Sequence, residues 1–173
     1  MKKHLVQDLI RDIPDFPSPG ILFKDITPVL ADADGFAAAI EGLMEIAGEF
    51  DAVAGVEARG FIFGAAIAAR SGKGFIPIRK SGKLPYKSHS ESYSLEYGSN
   101  TLEIHEDAIE PGARVLLIDD VLATGGTLIA AAKLIERCGG VLGSALVLIE
   151  IAELAGQEKF AAAFPGKQIS VLI

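Results

Sequence analysis

The sequence lacks tryptophan and has a single cysteine, Cys138, among its 173 residues. One cysteine excludes an internal disulfide and a zinc site built from several cysteines. Long hydrophobic runs are also missing, because the longest apolar stretches, 60–69 and 141–149, are shorter than the roughly 18 residues of a membrane span. Asp8 interrupts the N-terminal stretch MKKHLVQDLI, which therefore lacks the apolar region of a secretory signal. These absences predict a reduced compartment, the cytoplasm, and no membrane partner.

Positive charge is scarce as well. Sixteen Lys and Arg residues stand against 23 Asp and Glu residues, which gives a formal net charge of −7. A general nucleic-acid binder needs a surface rich in Lys and Arg, so we expect no nucleic-acid partner. The length suits one domain with a core of its own, and residues 1–173 are predicted to form a single domain.

Short runs rich in β-formers alternate with longer alanine-rich segments. This alternation is typical of an α/β fold with a mostly parallel central sheet flanked by helices. The predicted helices are 35–50, 60–70, 126–137 and 152–163, and the predicted strands are 52–56, 75–78, 114–119, 141–149 and 169–173.

Two segments break this alternation. Segment 12–27 contains three prolines among apolar residues, which predicts a packed loop rather than a regular element. Segment 79–98 is polar and carries several cations, and loops of that length are usually lids or disordered segments. Alternation in 92–97 and 101–106, on either side of Gly98-Ser99-Asn100, predicts a hairpin.

The most informative stretch is VLLIDDVLATGGTL, residues 115–128. Asp119 and Asp120 follow a buried strand, at the carboxyl end where open α/β sheets bind ligands. The turn after them opens a helix with free backbone N–H groups and hydroxyls, which is a phosphate site. The carboxylates would repel that phosphate, so we expect them to accept hydrogen bonds from sugar hydroxyls. The predicted phosphate donors belong to Ala123, Thr124, Gly125, Gly126 and Thr127.

Other nucleotide motifs do not fit this stretch. A Walker loop needs Lys after its second glycine, where Thr127 stands, and the GxGxxG dinucleotide fingerprint is absent. A plain strand, turn and helix with a capping threonine is the structural alternative. Phosphate donors beside hydroxyl acceptors instead indicate a ribose 5-phosphate.

Residues 115–128 resemble the binding motif for phosphoribosyl pyrophosphate (PRPP) of the type I phosphoribosyltransferases. Four further strings resemble the adenine phosphoribosyltransferase branch of that family, in the same order along nearly the whole chain. They are FPSPGILFKDITPVL (16–30), EARGFIFG (57–64), RKSGKLP (79–85) and SYSLEYGSNTLEIHEDAI (92–109).

The resemblance implies the family fold, with an N-terminal hood over 1–30 that forms the base pocket and a mobile lid loop and hairpin over 79–106. The implied reaction is adenine + PRPP → AMP + pyrophosphate, a purine-salvage step. It is assisted by Mg²⁺, which we expect to bind through PRPP, with no metal site made by side chains. The resemblance also implies a homodimer.

The resemblance assigns cations to the leaving pyrophosphate. Arg59 takes this role beside a non-proline cis peptide that would join Glu57 and Ala58, and Lys80 and Lys83 in the polar loop are suited to the same anion. Alone, Arg59 would be read as part of a surface ion pair; within EARGFIFG the pyrophosphate role is favoured.

The transition state should resemble an oxocarbenium ion, so a lid that excludes water is expected. Glu96 is assigned proton handling at the imidazole ring of adenine as N9 attacks, although exposed hairpin carboxylates are common. Neighbouring Tyr97 would help to close the site.

The resemblance also implies a base pocket. Phe23 would stack on adenine with Ile151 opposite, and Leu22 and Lys24 would approach the base. The sequence alone favours core packing for Phe23. Enzymes for hypoxanthine and guanine carry a carboxylate where this chain has Ala123, so a 6-oxopurine substrate is disfavoured.

Two other functions stay open at this point. The first is a regulator that senses PRPP or a nucleotide without catalysis, which the acidity of the chain disfavours because such proteins usually append a DNA-binding domain. The second is a transferase for another base, such as xanthine or hypoxanthine.

Overall fold

The computed structural model describes residues 2–94 and 99–173. The helices are α1 (Lys2–Leu9), α2 (Thr27–Ala31), α3 (Ala33–Ile46), α4 (Arg59–Ser71), α5 (Gly126–Arg137) and α6 (Gly156–Ala163), with a 3₁₀ turn at Ala152–Leu154. The strands are β1 (Arg11–Pro14), β2 (Leu22–Asp25), β3 (Ala52–Val56), β4 (Gly74–Lys80), β5 (Ser88–Ser94), β6 (Ser99–His105), β7 (Arg114–Leu122), β8 (Val141–Glu150) and β9 (Ile169–Val171).

The central sheet of the described residues has the strand order β5-β6-β4-β3-β7-β8-β9. The pairs β3–β4, β3–β7, β7–β8 and β8–β9 are parallel, and the hairpin β5–β6 extends the sheet antiparallel beyond β4. This confirms the predicted α/β fold with a mostly parallel sheet between helices. The chain proceeds from β3 to β4 on one side and later to β7 on the other, so the strand order reverses at β3.

Helices cover both faces of the sheet because the inner strands are apolar on both sides. In β7, residues 115–118 are fully buried, which is typical of a parallel strand between two layers. Residues from α1, α3 and α4 form one apolar cluster on one face, with Leu43 and Phe63 at its centre. Residues from α5 and α6 form the cluster on the other face, with Leu134 and Phe160 buried.

The N-terminal segment contains more regular structure than its prolines suggested. Strands β1 and β2 pair antiparallel from Arg11↔Asp25 to Pro14↔Leu22, and the connection between them, 15–21, is exposed, so the expectation of a packed loop over 12–27 is wrong. Pro14 ends a strand, and Pro17 follows a cis bond in the connection. Helix α1 packs on α3, with Val6 buried.

The polar segment also differs from its predicted form. Arg79 and Lys80 belong to β4, where they pair with Glu103 and Leu102 of β6, and β5 begins at Ser88. The expectation of one long loop over 79–98 is therefore wrong. Strand pairing orders both flanks of this segment, and the connection from β4 to β5 spans only residues 81–87.

The predicted helix over 152–163 is divided. Ala155 has φ +53° and separates the 3₁₀ turn from α6. Among the described residues, no helix combines the length and apolar character needed to cross a bilayer.

Candidate active site

A cleft of about 490 Å³ opens where the strand order reverses, at the carboxyl ends of β3 and β7. Ligands of open α/β sheets bind at such a point because the loops from the two strands diverge there. The hairpin β1–β2 and the end of β4 form the opposite walls. The lining residues are Ile21, Leu22, Phe23, Lys24, Val56, Glu57, Ala58, Arg59, Lys80, Tyr93, Asn100, Leu102, Asp119, Asp120, Val121, Ala123, Thr127 and Ile151.

The acidic pair lies on the part of β7 that extends beyond its pairing with β3. Strand β3 pairs with β7 only as far as Gly55↔Ile118, whereas β7 stays paired with β8 to Leu122. Asp119 and Asp120 therefore extend past the end of β3 but remain within a strand, three residues longer than the sequence predicted. Regular strand structure fixes their backbone.

Burial and mutual repulsion shape the electrostatics of this pair. Burial and the neighbouring Asp120 charge raise the pKa of Asp119 well above its usual value. Burial also raises the pKa of Asp120, and the Arg59 guanidinium opposes that rise. The Asp120 amide donates to Asp119 Oδ1 at 2.9 Å. Two buried carboxylates so close together need partners that donate hydrogen bonds to them, as sugar hydroxyls do.

Arg59 contacts both Asp120 and the Phe23 ring on the opposite wall of the cleft. It is the first residue of α4, and its Nε lies 2.7 Å from Asp120 Oδ2, in an ion pair without hydrogen-bond alignment. Its guanidinium carbon lies 5.0 Å from the centre of the Phe23 ring, a cation–π distance. The peptide bond between Glu57 and Ala58 is cis, as the resemblance predicted.

The glycine turn after β7 forms a second, smaller depression of about 50 Å³ that adjoins the main cleft. Gly125 is the N-cap of α5 with φ +83°, and no side chain caps the helix. The first amides of α5 are therefore free to meet an anion. Thr124 and Gly125 line only this depression, whereas Val121, Ala123 and Thr127 line both spaces.

Gly156, which the sequence analysis overlooked, supports this turn. It begins α6, and a Cβ there would overlap the Ala123 carbonyl oxygen and lie 2.7 Å from Leu122 Cδ1. A Cβ on Gly125 would in turn lie 2.9 Å from the Gly156 carbonyl oxygen. The two backbones approach each other as only glycines allow. The sequence offered little signal, because Gly156 lies 28 residues beyond the motif that ends at Leu128.

The hairpin β1–β2 places Leu22, Phe23 and Lys24 on the cleft. Phe23 is half-buried and meets the Phe16 ring edge-on, with centroids 5.1 Å apart. Lys24 Nζ donates to Asp12 Oδ1 at 2.7 Å, across the strand pair. Phe23 is thus a cleft residue and not a core residue, as the resemblance implied.

The predicted cations behave differently from one another. Lys80 lines the cleft, but Lys83 does not, and the Lys83 carbonyl accepts a hydrogen bond from Arg79. Glu96 and Tyr97 lie outside the described residues. In the sequence they stand between Ser94 and Ser99, which pair with each other at the end of the hairpin.

Several lining residues were missed from the sequence. Tyr93 and Asn100 come from the hairpin β5–β6, and Glu57 and Ala58 stand directly before Arg59. The string EARGFIFG contained the signal for the second pair, because a polar residue after a buried strand is placed at the same sheet edge as Arg59. In the described part of the chain, no group of three or more His, Cys, Asp or Glu side chains could hold a metal ion.

Comparisons with known proteins show the family of this chain. Residues 23–162 match the model of the phosphoribosyl transferase domain. An adenine phosphoribosyltransferase of Cutibacterium acnes is 52% identical over 172 residues, which cover 99% of this chain and 97% of that protein. The relative from Thermobifida fusca is 54% identical over 159 residues, which cover 91% of this chain and 90% of that protein.

Solved structures give the same result. The crystal structure of adenine phosphoribosyltransferase from Thermoanaerobacter pseudethanolicus superposes with a TM-score of 0.93 at 49% identity, covering 99% of this chain and 98% of that one. The Saccharomyces cerevisiae enzyme, complexed with an imino-altritol bisphosphate and adenine, gives 0.91 at 34% identity, covering 99% and 98%. From its sequence, its fold and its cleft, this chain belongs to the phosphoribosyltransferase family and, within it, to the adenine phosphoribosyltransferases.

Proposed function

We infer that this protein transfers the phosphoribosyl group of PRPP to adenine, yielding AMP and pyrophosphate, as a purine-salvage enzyme. N9 of adenine attacks the anomeric carbon, the bond from that carbon to the pyrophosphate oxygen breaks, and adenine loses one proton. The observation that carries this function is the cleft and its adjoining depression, which bring together three features. They are a carboxylate pair, a helix N-terminus with free amides, and an aromatic ring.

The phosphate and ribose are assigned to β7 and the turn that follows it. The free amides at the start of α5, with Thr124 and Thr127, would hold the 5-phosphate. Asp119 and Asp120 would accept hydrogen bonds from the ribose hydroxyls, which replace the unfavourable contact between two crowded carboxylates. The contacts to the 5-phosphate and those to the ribose hydroxyls would together fix the position of the anomeric carbon in the cleft.

The pyrophosphate is assigned to Arg59 and Lys80, which bring positive charge to the same cleft. Lys83 lies in the connection 81–87 that follows Lys80 and would join them when that connection closes over substrate. We expect Mg²⁺ to arrive bound to PRPP. The described side chains provide the carboxylate pair but no complete metal site. Mg²⁺ suits such a site because it binds to one or two carboxylates and takes its other ligands from substrate oxygens. When bound, Mg²⁺ would neutralise charge on the leaving group.

The adenine ring is assigned to the space between Phe23 and Ile151, which both line the cleft. A half-buried aromatic ring offers stacking area to a purine. Ala123 presents a methyl group where a carboxylate would favour a 6-oxopurine. Adenine is therefore the base that suits this pocket.

Glu96, which lies between β5 and β6 in the sequence, is proposed as the group that handles the adenine proton. We expect Glu96→Ala to lower kcat at least a hundredfold, because a positioned acid–base group contributes that much, while the Kd for PRPP changes less than threefold. Glu91→Ala, on the same hairpin, serves as the control and should retain its kcat. An unchanged kcat in Glu96→Ala would remove the assigned role.

The function is tested by pyrophosphate release from the purified protein with PRPP and Mg²⁺, comparing adenine, hypoxanthine, guanine and xanthine. We expect release with adenine alone. Release only with a 6-oxopurine would contradict the base assignment. PRPP binding without release for any base would favour a regulator. We also propose a homodimer, and light scattering after gel filtration would show twice the chain mass of 18.1 kDa.

A further inference from the structure

We propose that Glu57 is a positioning residue for pyrophosphate, which it supports indirectly by fixing the segment 79–83 that carries the cations. This inference rests on the proposed function of the cleft. Glu57 lines the cleft directly after β3, although a carboxylate there would by itself repel a pyrophosphate. Its contacts explain why the chain places a negative charge at this point.

The Glu57 carboxylate binds both the Arg79 side chain and the Lys80 backbone at the end of β4. Its Oε2 accepts from Arg79 Nε at 3.1 Å and its Oε1 from Arg79 Nη2 at 3.2 Å, a two-pronged pair. Its Oε2 also accepts from the Lys80 amide at 3.2 Å. The side chain that must present positive charge to the cleft, Lys80, therefore has its own backbone fixed by Glu57.

Arg79 in turn binds the backbone of Lys83, farther along the chain. Its Nη1 donates to the Lys83 carbonyl oxygen at 3.0 Å, using the edge of the guanidinium that Glu57 leaves free. Glu57 thus fixes the two ends of the segment from Lys80 to Lys83, whereas Glu103 holds its middle by accepting from Ser81 Oγ at 2.6 Å and from the Gly82 amide at 3.0 Å. The Glu57 side chain is 18% exposed and that of Arg79 is 32% exposed, so the contact is partly shielded from water.

Charge and geometry make opposite predictions for the removal of Glu57. If this carboxylate were only a negative group in the cleft, Glu57→Gln would relieve repulsion and tighten pyrophosphate binding. If it positions the cations, Glu57→Gln releases Arg79 and the loop, and pyrophosphate binding weakens. The direction of the change in Kd therefore separates the two roles.

The experiment measures the Kd of pyrophosphate with Mg²⁺, and separately of AMP, by isothermal titration of the full chain. We expect Glu57→Gln to raise the pyrophosphate Kd about tenfold and to change the AMP Kd less than twofold. Glu49→Gln is the matched control. Glu49 also pairs with an arginine, Arg114, at 2.6 Å, but at the other end of the sheet. It should change neither Kd.

A double-mutant cycle tests whether Glu57 acts through Arg79. In an Arg79→Gln background, Glu57→Gln should raise the pyrophosphate Kd less than twofold further. Glu57→Asp keeps the charge but is too short for all three contacts, so it should also weaken pyrophosphate binding and is available if Glu57→Gln does not fold.

Four results would overturn the inference. They are an unchanged or lowered pyrophosphate Kd, an equal rise in the AMP Kd, a full additional effect in the Arg79→Gln background, and no pyrophosphate binding to the wild type. The binding measurement does not require turnover. A wild-type chain that binds pyrophosphate but is inactive with adenine would therefore contradict the proposed function alone.

Discussion

The turn after β7 and the hairpin β1–β2 lie on the same cleft, but different contacts hold them in place. The turn is fixed by buried backbone, with Gly125 against Gly156 and the side chains of Leu122 and Leu128 buried beneath. The hairpin is fixed by polar side chains at the surface. The pair from Arg11 to Asp25 at 2.7 Å and the pair from Lys24 to Asp12 at 2.7 Å both join one strand to the other.

This difference indicates that the turn after β7 and the hairpin β1–β2 have different roles in binding. Close backbone packing tolerates almost no displacement, which suits a site that must fix a phosphate and the carbon that reacts. Exposed ion pairs are worth little and exchange readily with water, which suits a wall that must admit a base. Under the proposed assignments, we therefore expect the turn after β7, the phosphate wall, to be preorganised and the hairpin β1–β2, the base wall, to be adjustable.

Neutralising the acidic pair should produce the largest effect on the phosphate wall. We expect Asp119→Asn with Asp120→Asn to raise the PRPP Kd about a hundredfold, because two charge-assisted hydrogen bonds are weakened. Titration calorimetry measures this effect. A normal PRPP Kd would remove the assignment of ribose hydroxyls to these residues.

The same double variant should be more stable than the wild type. Folding raises the pKa of both carboxyls, so their contribution to stability is lost as the pH rises through the folded pKa, and an amide avoids that loss. We expect the free energy of unfolding at pH 7 to rise by about 1 kcal/mol, measured by denaturant titration. A lower stability would show that the pair supports the fold rather than the ligand.

The phosphate wall was also the part that the sequence predicted best. A buried strand, two acids and a glycine turn follow one another in 115–128, so local pattern alone places Asp119 and Asp120 at the sheet edge. Their strand extends further than predicted because β8, and not the motif itself, pairs with β7 to Leu122. Gly156 could not be predicted, because it reaches the turn only through tertiary packing.

The base wall was predicted mainly through resemblance. Prolines in 12–27 indicated a loop, but the pairing of Arg11 with Asp25 and of Asp12 with Lys24 creates a hairpin. Such pairs join residues that are distant in sequence, so no local periodicity reveals them. The polar segment after Arg79 was misassigned for the same reason, since its strands depend on β6.

Adding one methyl group to the phosphate turn should break its close packing. Gly125→Ala places a Cβ at φ +83° and 2.9 Å from a carbonyl oxygen, so we expect a loss of about 2 kcal/mol in unfolding free energy and a tenfold rise in the PRPP KM. Gly139→Ala is the control. Its φ is also positive, +82°, but its nearest neighbour is 3.9 Å away, so about 1 kcal/mol and an unchanged KM are expected. Equal effects at both glycines would contradict close packing as the cause.

Reducing the aromatic surface of the base wall should affect one substrate only. We expect Phe23→Leu to raise the KM for adenine about tenfold, since stacking on a base is worth about 1–3 kcal/mol, and to leave the KM for PRPP within twofold. Phe16→Leu is the matched variant, because Phe16 touches Phe23 edge-on but does not line the cleft. Steady-state kinetics with each substrate varied would reveal the selectivity. A rise in both KM values for Phe23→Leu would show that the two walls are not independent.

The smallest expected effect concerns the acid sensitivity of the hairpin. Hydrogen bonds from the Thr27 amide and hydroxyl, and then from Arg11, lower the pKa of Asp25 to about 2. Hydrogen bonds from Arg114 likewise lower the pKa of Asp51 to about 2, at the other end of the sheet. A lowered pKa stabilises the fold above the ordinary value near 3.8, and this contribution is lost as the pH falls toward 2.

Comparing Asp25→Asn with Asp51→Asn would test whether the base wall alone depends on surface pairs for its function. Each variant should lower the melting temperature at pH 6, and each difference from the wild type should shrink as the pH falls from 4 toward 2. Only Asp25→Asn should also raise the adenine KM, about twofold, because Asp25 ends the strand that carries Phe23. Melting differences that stay constant with pH would contradict the carboxylate contacts. An equal change in adenine KM for Asp51→Asn would show that the hairpin senses the stability of the whole sheet and is not an adjustable wall of its own.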